Sequence, residues 1–374
     1  MKKAVLIPDS FKGTLSSAEI CRIMEEKIKR HFPDCTVAAI PVADGGEGSV
    51  DAFLTALGGE KVFVEVDNPY FEPMCAFYGL IDGGRTAVIE MAACAGLPLV
   101  EGRRDPSKTT TYGVGQLMLD AARRGVGKII VGLGGSATTD AGCGAAAAAG
   151  VRFLDAAGES FIPVGGTLGR VARIDMSGLD PLLGRVEIVT MCDIDNPMYG
   201  ETGAAYVFGP QKGADDAMVR MLDEGLRHLG EVLRRDLGRD LTQIPGGGAA
   251  GAMGVGMVAF FGSSLQMGIE TVLDTVRFDE LLAGADAVFT GEGKIDSQSL
   301  RGKVVIGVAR RAKKQGVPVI AVVGGAELEL GQAYDEGVRA IFTINRLPLD
   351  LSVSGKDSDK NLAFAMNNIL RLMK

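Results

Sequence analysis

Residues 3–28, KAVLIPDSFKGTLSSAEICRIMEEKI, combine an apolar run with a helix-start signal. The run at residues 3–8 predicts a short buried strand. Ser16 is followed three residues later by Glu19, which is the capping-box pattern found at the start of helices. The apolar residues that follow share one helical face, so we expect this helix to pack on a sheet. They are Ile20, Ile23, Met24 and Ile28.

The strand–helix order repeats at both ends of the chain. Residues 36–42 (TVAAIPV) predict a second strand and residues 49–56 a second helix, and this β-α-β-α order is typical of a parallel sheet. The order returns near the end, with strands predicted at residues 285–290, 317–323 and 340–344, and with helices at 304–314, before 337 and at 360–373. Together these segments predict a five-stranded, doubly wound parallel sheet.

The middle of the chain has a different pattern. Strands are predicted there with irregular spacing, and two of them alternate as antiparallel strands do. Their positions are 61–66, 75–81, 86–91, 128–132, 151–154 and 186–191, and helices are predicted near 113–124, 216–235 and 254–261. We therefore predict an α/β protein in which a second α/β domain with a mixed sheet, residues 61–280, is inserted into a doubly wound domain formed by residues 1–60 and 281–374.

The composition excludes several classes of protein. Of 374 residues, 47% are hydrophobic, which is enough for a large core and excludes a disordered chain. A net charge of −8 argues against nucleic acid as a partner. Two histidines, and six cysteines without C-x-x-C spacing, argue against a zinc site and favour reduced core thiols. Without a secretory signal or an apolar run long enough to cross a bilayer, we expect a cytoplasmic protein with no membrane partner.

Three polar loops follow predicted strands of the parallel sheet, at residues 8–13, 44–48 and 291–297. Each leaves the carboxyl end of a strand and enters a helix, and ligands bind at this edge in open α/β sheets. A single Asp-Gly loop is more often a plain turn, whereas three coincident loops with acids and lysines favour a site. The charged candidates are Asp9, Lys12, Asp44, Glu47, Glu292, Lys294 and Asp296.

A glycine-rich loop at residues 132–140 (GLGGSATTD) follows another predicted strand and precedes an Ala/Gly-rich helix. Glycines let a backbone approach a phosphate group, and the start of a helix supplies free N–H donors. The hydroxyls of Ser136, Thr138 and Thr139 add further donors, and together these features predict a phosphate-binding loop. A tight turn with close packing and no ligand is the alternative.

Two carboxylates, Asp193 and Asp195, follow the predicted strand at residues 186–191. Being two residues apart, they point the same way if the strand continues, and their hard oxygen atoms suit Mg²⁺. One of them could instead act as a base, and a turn before Pro197 is the structural alternative. A further Gly/Pro loop at residues 208–213 carries Lys212.

These residue types suit phosphoryl transfer. That reaction uses carboxylates to hold Mg²⁺, cations to offset phosphate charge, and a base for the accepting hydroxyl. The pattern G-x-x-x-x-G-K-[ST] is absent, and so is the motif set of protein kinases. The residues alone therefore favour an enzyme for small anionic substrates, a kinase with an unfamiliar phosphate loop.

The motifs taken together resemble those of the bacterial glycerate kinase family. The resemblance covers nearly the whole chain and rests on residues 9–13, 41–48, 132–140, 192–197, 208–213 and 290–296. It implies a flavodoxin-like domain with a second α/β domain inserted in it. It also implies ATP-dependent phosphorylation of D-glycerate with Mg²⁺, most often to 2-phosphoglycerate.

With this resemblance we expect the active site in a cleft between the two domains. The predicted catalytic residues are Asp193, Lys12 and Asp44. Asp193 would bind Mg²⁺ or accept the hydroxyl proton, with Asp195 as a second metal ligand. Lys12 and Lys212 would contact phosphates or the glycerate carboxylate. The other predicted contacts to substrate or phosphate are Ser10, Glu47, Gly134, Gly135, Ser136, Glu292 and Asp296.

Two alternatives stay open at this point. The acceptor could be another short hydroxy acid, such as tartronate or a tetronate. The same residues could also belong to a non-catalytic ligand-binding protein. The expected partners are glycerate and ATP, and self-association is left open.

Overall fold

A computed structural model of the chain describes residues 1–42, 45–297, 299–327, 330–346 and 355–374. The strands are β1 (Lys3–Leu6), β2 (Thr36–Ala39), β3 (Glu60–Asp67), β4 (Pro73–Ile81), β5 (Thr86–Glu90), β6 (Lys128–Gly132), β7 (Arg152–Leu154), β8 (Ser160–Phe161), β9 (Arg173–Asp175), β10 (Glu187–Met191), β11 (Ser264–Gln266), β12 (Ala287–Thr290), β13 (Lys294–Ile295), β14 (Val319–Val323), β15 (Gly325–Ala326) and β16 (Val338–Thr343).

The α-helices are α1 (Ser17–His31), α2 (Ser49–Leu57), α3 (Ala92–Ala95), α4 (Tyr112–Arg123), α5 (Cys143–Ala148), α6 (Ala204–Phe208), α7 (Asp216–Leu237), α8 (Ala249–Phe261), α9 (Gly268–Thr275), α10 (Phe278–Leu282), α11 (Val304–Lys314), α12 (Gly331–Asp335) and α13 (Ser358–Leu372). Short 3-10 turns connect several of these elements. Within the described residues, no helix has both the length and the apolar character needed to cross a bilayer.

The chain folds into two units, and each is made of more than one segment. Unit 1 contains Met1–Asp44, Thr55–Leu57 and Met267–Lys374, and unit 2 contains Gly45–Leu54 and Gly58–Gln266. Each unit has its own sheet and buried core. The sequence-based domain limits at residues 60 and 280 stay a prediction.

Unit 1 is built on a five-stranded sheet in the order β16-β14-β12-β1-β2, and every neighbouring pair is parallel. Numbered within the unit, this order is 2-1-3-4-5, which is the flavodoxin-like, doubly wound arrangement. The register places Ala4 beside Val37 on one side and Ala287 on the other. The predicted five-stranded parallel sheet is therefore confirmed.

The first helix of unit 1 shows why the local sequence adopts this fold. Ser16 caps α1, because its side chain accepts from the Glu19 N–H while the Glu19 carboxylate accepts from the Ser16 N–H at 2.9 Å. This reciprocal pair satisfies two backbone donors that a helix start leaves unpaired. The predicted apolar face is buried, as expected, at Ile20, Ile23, Met24 and Ile28.

Unit 2 contains a six-stranded mixed sheet in the order β11-β10-β6-β5-β4-β3. The four strands from β11 to β5 are parallel, whereas β4 pairs antiparallel with both β5 and β3. A small antiparallel sheet, β8-β7-β9, accompanies it. The mixed character predicted for the middle of the chain is confirmed. The carboxyl ends of β6 and β10 lie side by side, since Gly132 is the register partner of Met191.

Candidate active site

The glycine loop after β6 packs directly against the backbone of residues 45–46 in unit 2. The Gly134 N–H donates to the Gly45 carbonyl at 3.0 Å. A Cβ added at Gly134 would lie 2.5 Å from Gly46 Cα, and one at Gly132 would lie 2.2 Å from the Gly45 oxygen. Side chains at these positions would clash, so the two loops meet only because these residues are glycines. Because the Gly134 N–H already donates to Gly45, it is not available to donate to a ligand.

Glu47 reaches the same loop. A Cβ added at Gly135 would lie 3.8 Å from Glu47 Oε1. Gly135 has a φ of +75°, a left-handed conformation that glycine adopts without strain. Unit 2 therefore brings Glu47 together with Gly134 and Gly135, three residues that the sequence predicted as contacts to substrate or phosphate.

Lys212 contacts the same glycine loop, although it lies about 75 residues further along the chain. It ends a 3-10 turn, Pro210–Lys212, and its Nζ donates to the Thr138 carbonyl and, at 3.4 Å, to Ser136 Oγ. The side chain is only 2% exposed. Burial lowers the pKa of Lys212 to about 7, and the nearby charge of Asp140 acts in the opposite direction.

Asp140 is the fixed centre of the loop, with 0% exposure. Its carboxylate accepts from the Thr111 N–H at 2.7 Å and from Thr111 Oγ1 at 2.9 Å. The N–H groups of Gly142 and Gly144 donate to it at 3.2 Å each. Burial raises the pKa of Asp140, and these donors oppose the rise because they favour the charged form.

Sequence reasoning missed the threonine run at residues 109–111, which holds this loop. All three side chains are at most 1% exposed. Thr109 Oγ1 donates to the Ala137 carbonyl at 2.9 Å, and Thr110 and Thr111 donate to Asp140. The available signal was the run of three adjacent β-branched hydroxyl residues directly before a helix.

Glu90 was also missed. It ends β5 and is 3% exposed, and its Oε1 accepts from the Val50 N–H in the first turn of α2 at 2.6 Å. Burial raises the pKa of Glu90, while hydrogen bonds from the backbone of Val50 and Gly48 lower it. This carboxylate anchors the chain immediately after the loop that carries Glu47. The signal was an acid at the end of an otherwise apolar strand.

Asp193 and Asp195 follow β10 in unit 2. Asp193 is half-buried, and Asp195 is exposed. Burial, together with the charges of these two aspartates, raises the pKa of the neighbouring Cys192 thiol to about 11. The thiol therefore stays protonated near neutral pH, and the carboxylates are the groups at this position that can bind a cation.

Unit 1 brings together the loops after β1 and β12. The Asp9 N–H donates to the Gly291 carbonyl at 2.8 Å. A Cβ added at Gly293 would lie 3.5 Å from the backbone nitrogen of Lys12. The predicted site residues Ser10 and Lys12 lie in the first loop, and Glu292 and Asp296 lie in the second. Asp296 is held by the Ser299 N–H, which donates to its carboxylate at 3.2 Å.

Nearly the whole chain matches one known protein family. The sequence profile of the glycerate kinase family matches residues 4–374. The chain belongs to the glycerate kinase family. It is 45% identical to the glycerate kinase of Halalkalibacterium halodurans over 99% of this chain and 97% of that protein. It is 42% identical to the glycerate 2-kinase of Escherichia coli, over 98% and 97% of the two chains.

A solved member of the glycerate kinase family has the same fold. The crystal structure of a protein assigned as glycerate kinase 2 from Salmonella typhimurium LT2 is 42% identical. It matches with a TM-score of 0.87 over 100% of this chain and 98% of that chain. The resemblance and the flavodoxin-like fold with a second α/β part are confirmed. The predicted enzyme class, a kinase with an alcohol group as acceptor, is confirmed by the family.

The structure describes all of the predicted site residues except one. Unit 2 holds Glu47, Gly134, Gly135, Ser136, Asp193, Asp195 and Lys212, and unit 1 holds Ser10, Lys12, Glu292 and Asp296. Asp44, one of the predicted catalytic residues, lies outside the described residues.

Proposed function

We propose that this protein transfers the γ-phosphoryl group of ATP to a hydroxyl of D-glycerate and releases 2-phosphoglycerate and ADP. Relatives from two genera carry the name glycerate kinase at 43–45% identity. The position of transfer is supported by the Escherichia coli relative, which is named glycerate 2-kinase. Use of ATP also supports a cytoplasmic location.

The observation that carries the proposal is the buried ammonium group of Lys212 on the glycine loop. A buried cation is unfavourable unless an anion or hydrogen-bond acceptor compensates it. The two acceptors of Lys212 Nζ, the Thr138 carbonyl and Ser136 Oγ, are neutral. Asp140 is nearby, but its oxygens already accept from Thr111, Gly142 and Gly144. A phosphate group beside Gly135 and Ser136 would supply the missing negative charge. Gly134 would act through packing of the loop, since its N–H donates to the Gly45 carbonyl and the Gly46 backbone lies where its Cβ would be.

Mg²⁺ fits the donor set at the end of β10. Mg²⁺ is usually held by one or two carboxylates together with substrate phosphates and water, and seldom by an all-protein cage. No group of three His, Cys, Asp or Glu side chains able to hold a metal ion occurs within the described ranges. We therefore assign Asp193 and Asp195 to an ion that also contacts phosphate. The ion would offset the negative charge on the phosphoryl oxygens.

The remaining predicted residues have roles that follow from their charge. Lys12 and Ser10 are suited to the carboxylate or a phosphate of a ligand in unit 1. Glu47, beside the glycine loop, is suited to a hydroxyl group or to a metal-bound water. Asp44 keeps its predicted catalytic role on the resemblance alone.

The test is an ADP-release assay with D-glycerate, ATP and Mg²⁺, followed by ³¹P NMR of the product. We expect ADP and 2-phosphoglycerate in equal amounts. Tartronate and a tetronate serve as competing acceptors, and a higher kcat/KM for either would change the assigned substrate. Formation of 3-phosphoglycerate would overturn the assigned position, and ADP release that requires no acceptor would overturn the proposed function.

A further inference from the structure

Glu292 lies at the topological switch point of the unit 1 sheet. β1 is flanked by β2 and β12, and the chain runs from β1 to β2 on one side and reaches β12 on the other. In sheets of this order, ligands bind beyond the carboxyl ends of the strands at this point. Glu292 follows β12 by two residues, and the backbone bond from Asp9 to Gly291 keeps the two loops together.

The carboxyl group of Glu292 is buried and incompletely paired. The residue is 5% exposed, and its Oε1 has no hydrogen-bond partner in the part of the chain that the structure describes. Most buried polar atoms in proteins are paired, because an unpaired one has lost its hydrogen bonds to water without replacement. An atom left in this condition at a ligand-binding edge is suited to a bond that a substrate completes.

The surroundings of Glu292 raise the pKa of its carboxyl group above that of an ordinary glutamate. Burial is the main cause, and the negative charges of Asp9 and Asp296 add to it. The Ser299 hydroxyl and the Lys303 ammonium favour the ionised form and oppose the rise. The result is a pKa of about 7. A general base works best when its pKa lies near the working pH, so this carboxyl is matched to proton transfer at neutral pH.

We propose that Glu292 accepts the proton of the substrate hydroxyl during phosphoryl transfer. This inference rests on the proposed function. A lone pair of the hydroxyl oxygen forms the new bond to the γ-phosphorus, and the bond from that phosphorus to ADP breaks with its electron pair left on ADP. The hydroxyl proton moves to Glu292 Oε1 and passes to solvent after the product leaves. The acceptor substrate is thereby assigned to the switch point of unit 1.

The sequence left two roles open for Asp193, Mg²⁺ binding and acceptance of the hydroxyl proton. The present assignment gives the second role to Glu292. A carboxylate that holds Mg²⁺ has its lone pairs engaged by the ion and is a poor proton acceptor. Glu292 has the buried position and the unpaired oxygen that proton acceptance needs. Lys12, in the loop beside Gly293, is suited to the carboxylate of the same substrate.

The first experiment measures kcat/KM for D-glycerate against pH at saturating ATP. For the wild type we expect the rate to rise with pH through about 7, because only the ionised base accepts a proton. Glu292→Gln should lower kcat by about 10²-fold or more and remove this acidic limb. Glu292→Asp should keep the limb at reduced kcat. Glu26→Gln, an exposed glutamate of the same unit, should match the wild type.

The second experiment shifts the acidic limb of the pH profile of kcat/KM by substitutions that leave Glu292 itself unchanged. Asp296→Asn removes a negative charge that raises the Glu292 pKa, so the acidic limb should shift to lower pH. Lys303→Gln removes a positive charge that lowers it, so the limb should shift to higher pH. A purely structural role of Glu292 predicts neither shift.

The outcomes separate this inference from the proposed function. If the wild type forms no phosphoglycerate, the proposed function fails. If the wild type is active but Glu292→Gln keeps its kcat and its acidic limb, the proton-acceptor role alone is wrong. The role is also wrong if both charge variants leave the limb where it was. Circular dichroism and thermal unfolding of each variant show whether lost activity comes from lost folding.

Discussion

Replacing Lys212 with methionine is expected to abolish a proton uptake that accompanies nucleotide binding. In the free protein the Lys212 ammonium is 2% exposed, and burial holds its pKa at about 7. A phosphate group at the glycine loop would favour the charged form and raise this pKa. Bound protein would therefore keep the proton over a pH range in which free protein loses it. Methionine has a similar length and carries no proton.

The size of the effect follows from the Lys212 pKa. With that pKa near 7, the free ammonium is about 90% protonated at pH 6, about 50% at pH 7 and about 10% at pH 8. Binding should then take up about 0.1, 0.5 and 0.9 protons at these three pH values. Because the unprotonated form must first gain a proton, the Kd for ATP should rise about tenfold between pH 6 and pH 8.

The assay is isothermal titration calorimetry of ATP binding in buffers that differ in ionisation enthalpy. The proton count of the Lys212→Met variant is subtracted, which removes the protons that ATP itself exchanges. Lys108→Met, at a largely exposed lysine of unit 2, is the matched control and should behave as the wild type. A difference in proton uptake that does not grow with pH would refute the buried-ammonium argument. Equal uptake in wild type and Lys212→Met would refute it as well.

Three further substitutions test separate parts of the structure. Gly134→Ala should lower the free energy of unfolding by about 1–3 kcal/mol in urea titrations, since its Cβ would lie 2.5 Å from a backbone atom. Gly184→Ala is the control and should leave the free energy of unfolding unchanged, because the space around Gly184 is open. Asp193→Asn should abolish turnover and leave the melting temperature unchanged, and a near-normal kcat would contradict its assignment. Ser16→Ala should cost about 1 kcal/mol of stability through the lost cap, and Ser16→Asp should retain most of it; equal stability of the two would argue against the cap.

The fold could be predicted where its signals are local. The start of α1 follows from Ser16 and Glu19, which interact within one turn. The predicted bounds of α11, Val304–Lys314, are confirmed. Strand ends were less accurate. The second strand was predicted to extend to residue 42, yet β2 ends at Ala39. Ile40 and Val42 are buried in the loop that follows, so their apolar side chains indicate burial and not strand pairing.

The candidate site was predictable as a set of loops but not as a network. Lys212 and Thr138 are 74 residues apart, and Thr111 and Asp140 are 29 apart. No spacing rule connects such pairs. The first contact depends on how the turn Pro210–Lys212 packs on the loop after β6, and the second on how the start of α4 packs on the same loop. The shifted pKa values of Lys212 and Glu292 are also invisible in the sequence, since burial causes both.

The glycine clusters show how one sequence signal can have more than one physical cause. From sequence, the glycines of residues 132–135 indicated a backbone that approaches phosphate. The structure uses Gly132 and Gly134 to bring two backbones together, and a Cβ added at Gly251 would likewise lie 2.1 Å from the Thr138 carbonyl. These contacts place the loop so that Ser136 and the Lys212 ammonium meet. Packing of the loops is therefore the cause of the proposed phosphate site, and the Gly134→Ala variant should lose anion affinity together with stability.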